Sequence, residues 1–268
     1  MLKDITLGQY FPGKSAVHRL DPRVKLLALI VYIVALFMAG GAVSYAIATA
    51  FVVAAIAISG IKPKLILKSL KAIIFIVLFT AVLNMLYTPG DVLFSVWIIR
   101  ITKQGIYNGF GMGLRVILLV TASALLTYTT SPMALTDGLE SLLSPLKKLR
   151  IPVHEFAMMM TIALRFIPTL IEETDKIMSA QKARGADFES GNIIKRAKAL
   201  IPVLIPLFVS SFRRADELAT AMECRLYHGG SNRTRLNVLR YGRLDGIGAL
   251  VIAMVCAAVI VVSKVFGL

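Results

Sequence analysis

The sequence has only two cysteines, Cys224 and Cys256, and three histidines. The cysteines lie far apart in unlike contexts, which excludes a disulfide framework and any familiar metal-ligand spacing. His18, His154 and His228 are too scattered for a metal site and read as polar surface or interfacial residues. Charge is scarce as well: 17% of the 268 residues, with 15 acidic against 30 basic ones. With 57% hydrophobic residues and a mean hydropathy of +0.77, that scarcity excludes an ordinary soluble domain. The first twenty residues carry Lys3, Asp4, Lys14 and Arg19 where a signal peptide would have a short apolar core, so the first spanning helix is expected to act as its own insertion signal.

What the chain does have is long apolar runs. Crossing the hydrocarbon core takes about 20 mostly apolar residues. Five segments approach that length: Val24 to Ala39, Ala42 to Ser59, Ala72 to Tyr87, Gly105 to Thr129 and Leu244 to Val262. The expected fold class is all-α, a polytopic helical membrane protein with a further helical segment outside the bilayer. Arg19, Arg23 and Lys25 precede the first run, and Lys62, Lys64, Lys68 and Lys71 lie between the second and third. Positive residues favour the cytoplasm, so the N-terminus is expected inside, Gly40-Gly41 becomes a tight outer turn, and Thr88 to Gln104 lies outside. The β-formers around Val92 to Ile101 suit a short hairpin there.

The expected organisation is a cytoplasmic segment 1–23, four spans in 24–130, a cytoplasmic helical domain 131–243 and a last span in 244–268. Residues 131–243 hold 17 Lys and Arg against 11 Asp and Glu, so the positive surplus sits where topology requires it. No nucleic-acid partner is needed to explain it. Ser131-Pro132 starts a helix running toward Leu149, which Pro152 interrupts. A second helix carries Phe156, Met159, Met160, Ala163, Phe166 and Ile167 at helical spacing and ends at Gly185. A third runs from Ile193 to Tyr227, with kinks expected at Pro202 and Pro206. Its apolar run, Leu200 to Phe212, is too short to cross a bilayer and is expected to lie at the interface or against the membrane domain.

Several motifs have plain explanations. Gly8 to Ser15 has phosphate-loop spacing but lacks the preceding strand, loses an amide at Pro12 and cannot continue as a helix past Pro22. His154-Glu155 opens like a zinc-protease motif, yet Met158 stands where the second histidine is required. Asn84 and Arg115 are polar residues within spans; Arg115 lies near an outer helix end and is expected to snorkel. Gly109-x-x-x-Gly113 suits close helix contact, and Asp137-Gly138 reads as an ordinary acid and small residue. More telling are Ala183-Arg184-Gly185 and Cys224-Arg225-Leu226, each ending a charged helix. One such arginine would be a helix cap. Two present a pair of guanidinium forks suited to carboxylates on another protein.

These residues carry a resemblance to the transmembrane T component of energy-coupling factor transporters, a vitamin-uptake branch of the ATP-binding cassette transporters. It covers nearly the whole chain. It rests on Pro12-Gly13-x-Ser15-x-x-His18-x-Leu20-Asp21-Pro22-Arg23-x-Lys25-Leu26, Ala163-Leu164-Arg165-Phe166-Ile167-Pro168, Ala180-Gln181-Lys182-Ala183-Arg184-Gly185 and Ala221-Met222-Glu223-Cys224-Arg225.

The resemblance implies a non-catalytic subunit in the plasma membrane of a prokaryote. Ala183, Arg184 and Gly185, with Cys224, Arg225 and Leu226, would dock two cytoplasmic ATPase subunits, which bind ATP and magnesium; no cofactor is expected on this chain. One or several exchanging substrate-binding membrane subunits would meet the Met-rich face from Phe156 to Ile167. The second arginine motif has Leu226 where the family commonly has glycine, so its helix is expected to turn another way, at Gly229-Gly230. A self-sufficient secondary transporter would show internal repeats and polar, broken helices at the midplane, of which only Asn84 is a candidate. A membrane enzyme would need convergent carboxylates, histidines or an activated nucleophile, and the sequence supplies none.

Overall fold

The computed structural model describes residues 10–89, 91–96, 99–188, 190–229 and 239–266. Two compact units divide them: residues 143–229, and residues 10–142 together with 239–266.

The larger unit holds the apolar runs. A one-turn helix α1 (Ala16–Arg19) leads into α2 (Pro22–Met38), then α3 (Gly41–Ser59), α4 (Pro63–Tyr87), α5 (Lys103–Thr129), α6 (Pro132–Leu143) and α9 (Arg243–Phe266). Pro22 and Pro63 stand at the first positions of α2 and α4, where a missing amide costs nothing. Gly60 ends α3 in the left-handed conformation. α4 is bent by 59° between Pro63–Lys71 and Ile73–Tyr87. The bend separates a basic leader, with Lys64, Lys68 and Lys71, from the apolar run expected from Ala72 onward.

Four helices build the core. Tyr32, Ala35 and Leu36 of α2 meet Ala48 and Val52 of α3, Leu118 of α5, and Cys256 and Val259 of α9. The Tyr32 hydroxyl donates to the Ala48 carbonyl at 3.2 Å, which lets a phenol sit in this core. α4 packs on α5 through a longer glycine ladder than the motif alone showed. A Cβ on Gly109 would lie 2.9 Å from the Ala81 carbonyl oxygen, and one on Gly105 2.9 Å from that of Met85. Gly113 faces Val77. Steps of four residues on both helices therefore bring the two backbones together.

The Gly40-Gly41 turn and the hairpin take the expected local form. Ser263 bridges the Gly40-Gly41 turn, its hydroxyl accepting from the Gly40 amide and donating to the Met38 carbonyl, both at 2.8 Å. β1 (Val92–Val96) and β2 (Ile99–Thr102) form an antiparallel hairpin, with Val96 opposite Ile99. Asp91 and Gln104 close its base through paired hydrogen bonds of 2.8 and 3.0 Å. The two polar span residues are structural. Asn84 donates to the Thr80 carbonyl one turn back in its own helix. Arg115 reaches the end of α2, donating to the Ala39 carbonyl at 2.9 Å and lying over the rings of Phe37 and Tyr45.

The smaller unit is built from a 3-10 helix (Ser144–Leu149), α7 (Val153–Ala183) and α8 (Ile193–Cys224). By length and composition α3, α5 and α9 are able to cross a membrane, as is the bent α4. α2, at 17 residues, is slightly shorter than the usual span. α7 also passes on both length and composition, with Glu155 and Arg165 in its apolar half, although residues 131–243 were expected outside the bilayer.

α7 and α8 run antiparallel. Gln181 donates to the Pro202 carbonyl at one end of their contact, and Glu173 meets Ser210 and Arg214 at the other. α8 is one helix through Pro202 and Pro206, the two prolines expected to kink it. Pro206 has no amide to offer the Pro202 carbonyl four residues back, and the Gln181 side chain supplies the missing donor at 3.4 Å.

Candidate functional site

The two arginine motifs adopt one backbone arrangement. At the end of α7 the Ala186 amide donates to the Gln181 carbonyl and the Gly185 amide to the Lys182 carbonyl, both at 3.0 Å. At the end of α8 the Tyr227 amide donates to Met222 at 3.0 Å and the Leu226 amide to Glu223 at 2.8 Å. These are the paired six-to-one and five-to-two bonds that consume the last orphan carbonyls of a helix. Arg184 and Arg225 thus occupy the same cap position.

The left-handed residue that follows differs. Gly185 has φ +88° with open space around it, whereas Leu226 takes φ +56° itself. The turn expected at Gly229-Gly230, of which Gly230 lies outside the described residues, is misplaced: the helix already reverses at Leu226, with both capping bonds made without glycine. A side chain in this conformation costs roughly 1–2 kcal/mol. Leu226 is among the most exposed apolar side chains of the chain, at 79%. Ala183, Arg184 and Gly185 are exposed, as are Cys224 and Arg225, and neither guanidinium has a side-chain partner among the described residues.

The third predicted patch lies at the other end of α7. Phe156, Met159, Met160 and Ala163 are exposed at one-turn intervals, with Phe166 and Ile167 half-buried further along. Val153 and Ala157 of the same helix are buried, so the apolar face is a true surface.

The N-terminal signature, by contrast, is turned inward within the larger unit. Ser15 caps α1 and bonds the His18 ring at 2.7 Å, while the other ring nitrogen of His18 lies 3.0 Å from the Phe11 carbonyl. His18, expected to be a surface or interfacial polar residue, is thus a half-buried linchpin. A Cβ on Gly13 would fall 2.6 Å from that ring, which accounts for the glycine. Asp21 caps α2 by accepting from the Arg23 amide at 2.9 Å. Lys25 is buried, and its ammonium donates to the carbonyls of His18 and Thr129 and the Thr130 hydroxyl at 3.0 to 3.2 Å, using all three protons. Arg23 reaches the Leu239 carbonyl and lies over the Tyr241 ring.

Asp245 completes this lock and was not foreseen. Its carboxylate accepts from the Asp21 amide and the Gly242 amide, each at 2.7 Å, tying the start of α9 to the start of α2. A lone acid at the head of an apolar run was the available signal. Gly138 was also underrated: a Cβ there would lie 2.9 Å from the Pro22 ring, so α6 can rest on the head of α2 only through a glycine.

Long apolar helices and an exposed surface rich in Ile, Leu, Val and Phe define an all-α polytopic membrane protein. A family model described as cobalt transport protein matches residues 13–236. A protein of Acidaminococcus fermentans is 56% identical over 94% of each chain. One of Ruminiclostridium cellulolyticum is 50% identical over 99% of this chain and 100% of its own, and one of Lactococcus lactis 44% identical over 98% and 100%. All three are named energy-coupling factor transporter transmembrane protein EcfT. The chain belongs to this family and is the transmembrane component of an energy-coupling factor transporter.

Proposed function

We propose that this chain is the coupling scaffold of a micronutrient importer, carrying motion from two cytoplasmic ATPases to a substrate-binding membrane subunit. The observation that carries the reading is the shared helix end: two exposed arginines, each at the same cap position, each held by the same pair of backbone bonds. A guanidinium fixed by a closed helix end is preorganised to clamp a carboxylate with little entropy lost. The ATPases bind and hydrolyse ATP, and their approach displaces the two arginine ends. Glu173, Ser210, Arg214 and Gln181 tie α7 to α8, so displacement at either end moves both helices. The exposed Phe156 to Ala163 face hands that motion to the substrate-binding subunit. The N-terminus and residues 131–243 lie in the cytoplasm, and the spans lie in the plasma membrane.

Arg184→Ala tests the reading. Expressed with its ATPases and a substrate-binding subunit, the variant is expected to lose ATPase co-purification and substrate uptake while still inserting and folding. Arg184→Lys, which keeps charge but not the fork, is expected to retain only part of both. Full uptake by Arg184→Ala overturns the proposal.

A further inference from the structure

The four helices that build the core meet along only part of their length. The buried residues they share, such as Leu36 of α2, Ala48 of α3, Leu118 of α5 and Val259 of α9, lie toward the Gly40-Gly41 turn. Toward the opposite end, where Asp245 locks α9 to α2, the same helices part around a cavity of about 350 Å³. Tyr32, Val52 and Lys25 are its buried walls. Ile58 of α3 and Ile247 and Val251 of α9 also line it yet are 39 to 61% exposed, so it opens sideways between α3 and α9. Val17 and Leu20 close its end, and Leu20 lies there only because position 248 is glycine: a Cβ would fall 3.0 Å from a Leu20 methyl.

The wall chemistry restricts what enters. Its polar groups are already engaged: the Lys25 ammonium with two carbonyls and a hydroxyl, the Tyr32 hydroxyl with the Ala48 carbonyl, the Thr129 hydroxyl with the Leu125 carbonyl. Water or a polar solute finds no partner on such walls. An alkyl group does, through dispersion, and the volume is more than twice the ~150 Å³ that admits a benzene ring. The depth is that of one leaflet. From Leu244 to Ile252, both lining residues, α9 rises about 12 Å, against about 15 Å for half the hydrocarbon core. Charge at the mouth is positive. Arg19 and Arg243, adjacent in sequence to the lining residues Leu20 and Leu244, are exposed and without a side-chain partner among the described residues. The acids at this end, Asp21 and Asp245, are buried and accept from backbone amides.

We propose that this cavity holds one acyl chain of an anionic phospholipid from the leaflet at the lock end, entered between α3 and α9, with the headgroup phosphate on Arg19 and Arg243. Guanidinium groups suit phosphate, and the apolar walls suit the chain. A helix of another subunit, about 10–12 Å across, is too wide for a gap between two helices that pack on each other further along. The lipid chain supplies the packing that the four helices do not give one another at this end, and its phosphate ties α1 to α9 beside the Asp245 lock. The inference is independent of what the arginine ends of α7 and α8 bind.

The test reconstitutes the full chain in vesicles of phosphatidylcholine and phosphatidylglycerol, extracts it in mild detergent and weighs it by native mass spectrometry. One phosphatidylglycerol is expected to remain on each chain, at about tenfold higher occupancy than phosphatidylcholine. Ala28→Phe with Ala55→Phe fills the cavity from α2 and α3 and is expected to lower that occupancy about tenfold. Added phosphatidylglycerol is expected to raise the thermal midpoint of the native chain by several degrees and that of the filled variant not at all. Arg19→Gln with Arg243→Gln is expected to keep a bound phospholipid and lose the preference for phosphatidylglycerol. Where the filled variant fails to fold, phosphatidylglycerol with a diazirine in its acyl chain is used on the native chain, with label expected on residues 51–58 and 244–252. A chain extracted without phospholipid, equal retention of the two lipids, retention unchanged by filling, or label confined to other segments overturns the proposal.

Discussion

At the N-terminal lock charged side chains are buried and paired with backbone, whereas Arg184 and Arg225 at the ends of α7 and α8 are exposed, their guanidinium groups without a partner among the described residues. Both regions are short runs of charge among small and apolar residues, and in sequence they look alike. The difference teaches what each can do. Asp21, Lys25 and Asp245 have their hydrogen-bonding capacity spent on main-chain groups of α1, α2, α5 and α9, so they hold the larger unit together. Arg184 and Arg225 have spent only their backbone amides, and the forks remain available.

The contrast predicts opposite outcomes for substitution. Asp245→Ala leaves the buried Asp21 amide without an acceptor, and it is expected to cost about 3 kcal/mol, because hydrogen bonds to a charged group are worth roughly 1.5–3 kcal/mol and orphaned donors cost more. The readout is thermal aggregation in detergent, with a midpoint several degrees lower; an unchanged midpoint would break the lock. Arg225→Ala is expected to leave that midpoint in place and to weaken ATPase assembly by about tenfold or more, the loss of one charge-assisted fork. Pull-down with each ATPase separately distinguishes it from Arg184→Ala, and equal stability loss in both variants would erase the contrast.

Leu226 sharpens the comparison between the two ends. Leu226→Gly is expected to stabilise the α8 terminus by about 1 kcal/mol, since glycine bears no left-handed penalty. Amide exchange at Tyr227 reads this directly. If ATPase assembly falls while the terminus tightens, the exposed leucine side chain is itself a docking contact. The smallest effect is expected for Glu173→Gln. The ion pair to Arg214 is partly open to solvent, so its removal should cost about 1 kcal/mol or less in stability. Uptake should fall by more than that cost suggests if the α7–α8 tie transmits force.

Much of the architecture was legible along the chain. The apolar runs, the Gly40-Gly41 turn, the hairpin and the end of α7 follow from hydropathy, β-formers and capping residues, all of which act over a few neighbours. The errors share a cause. His18 and Gly138 were read by residue type, but their roles are set by Phe11 and Pro22, which the fold brings to them. The donor from Gln181 to the Pro202 carbonyl lies likewise beyond local reading, although the missing amide of Pro206 that it replaces is visible in sequence.

Sequence alone thus determined which segments are apolar enough to sit in lipid, where positive charge accumulates and that two arginines close two helices, because each depends on composition or local spacing. Only the tertiary structure decided that Asp245 locks the first and last long apolar helices together and that Leu226 takes the glycine position. Those outcomes depend on which distant backbone groups arrive within about 3 Å of one another, a range at which hydrogen bonding acts and over which sequence separation carries no information.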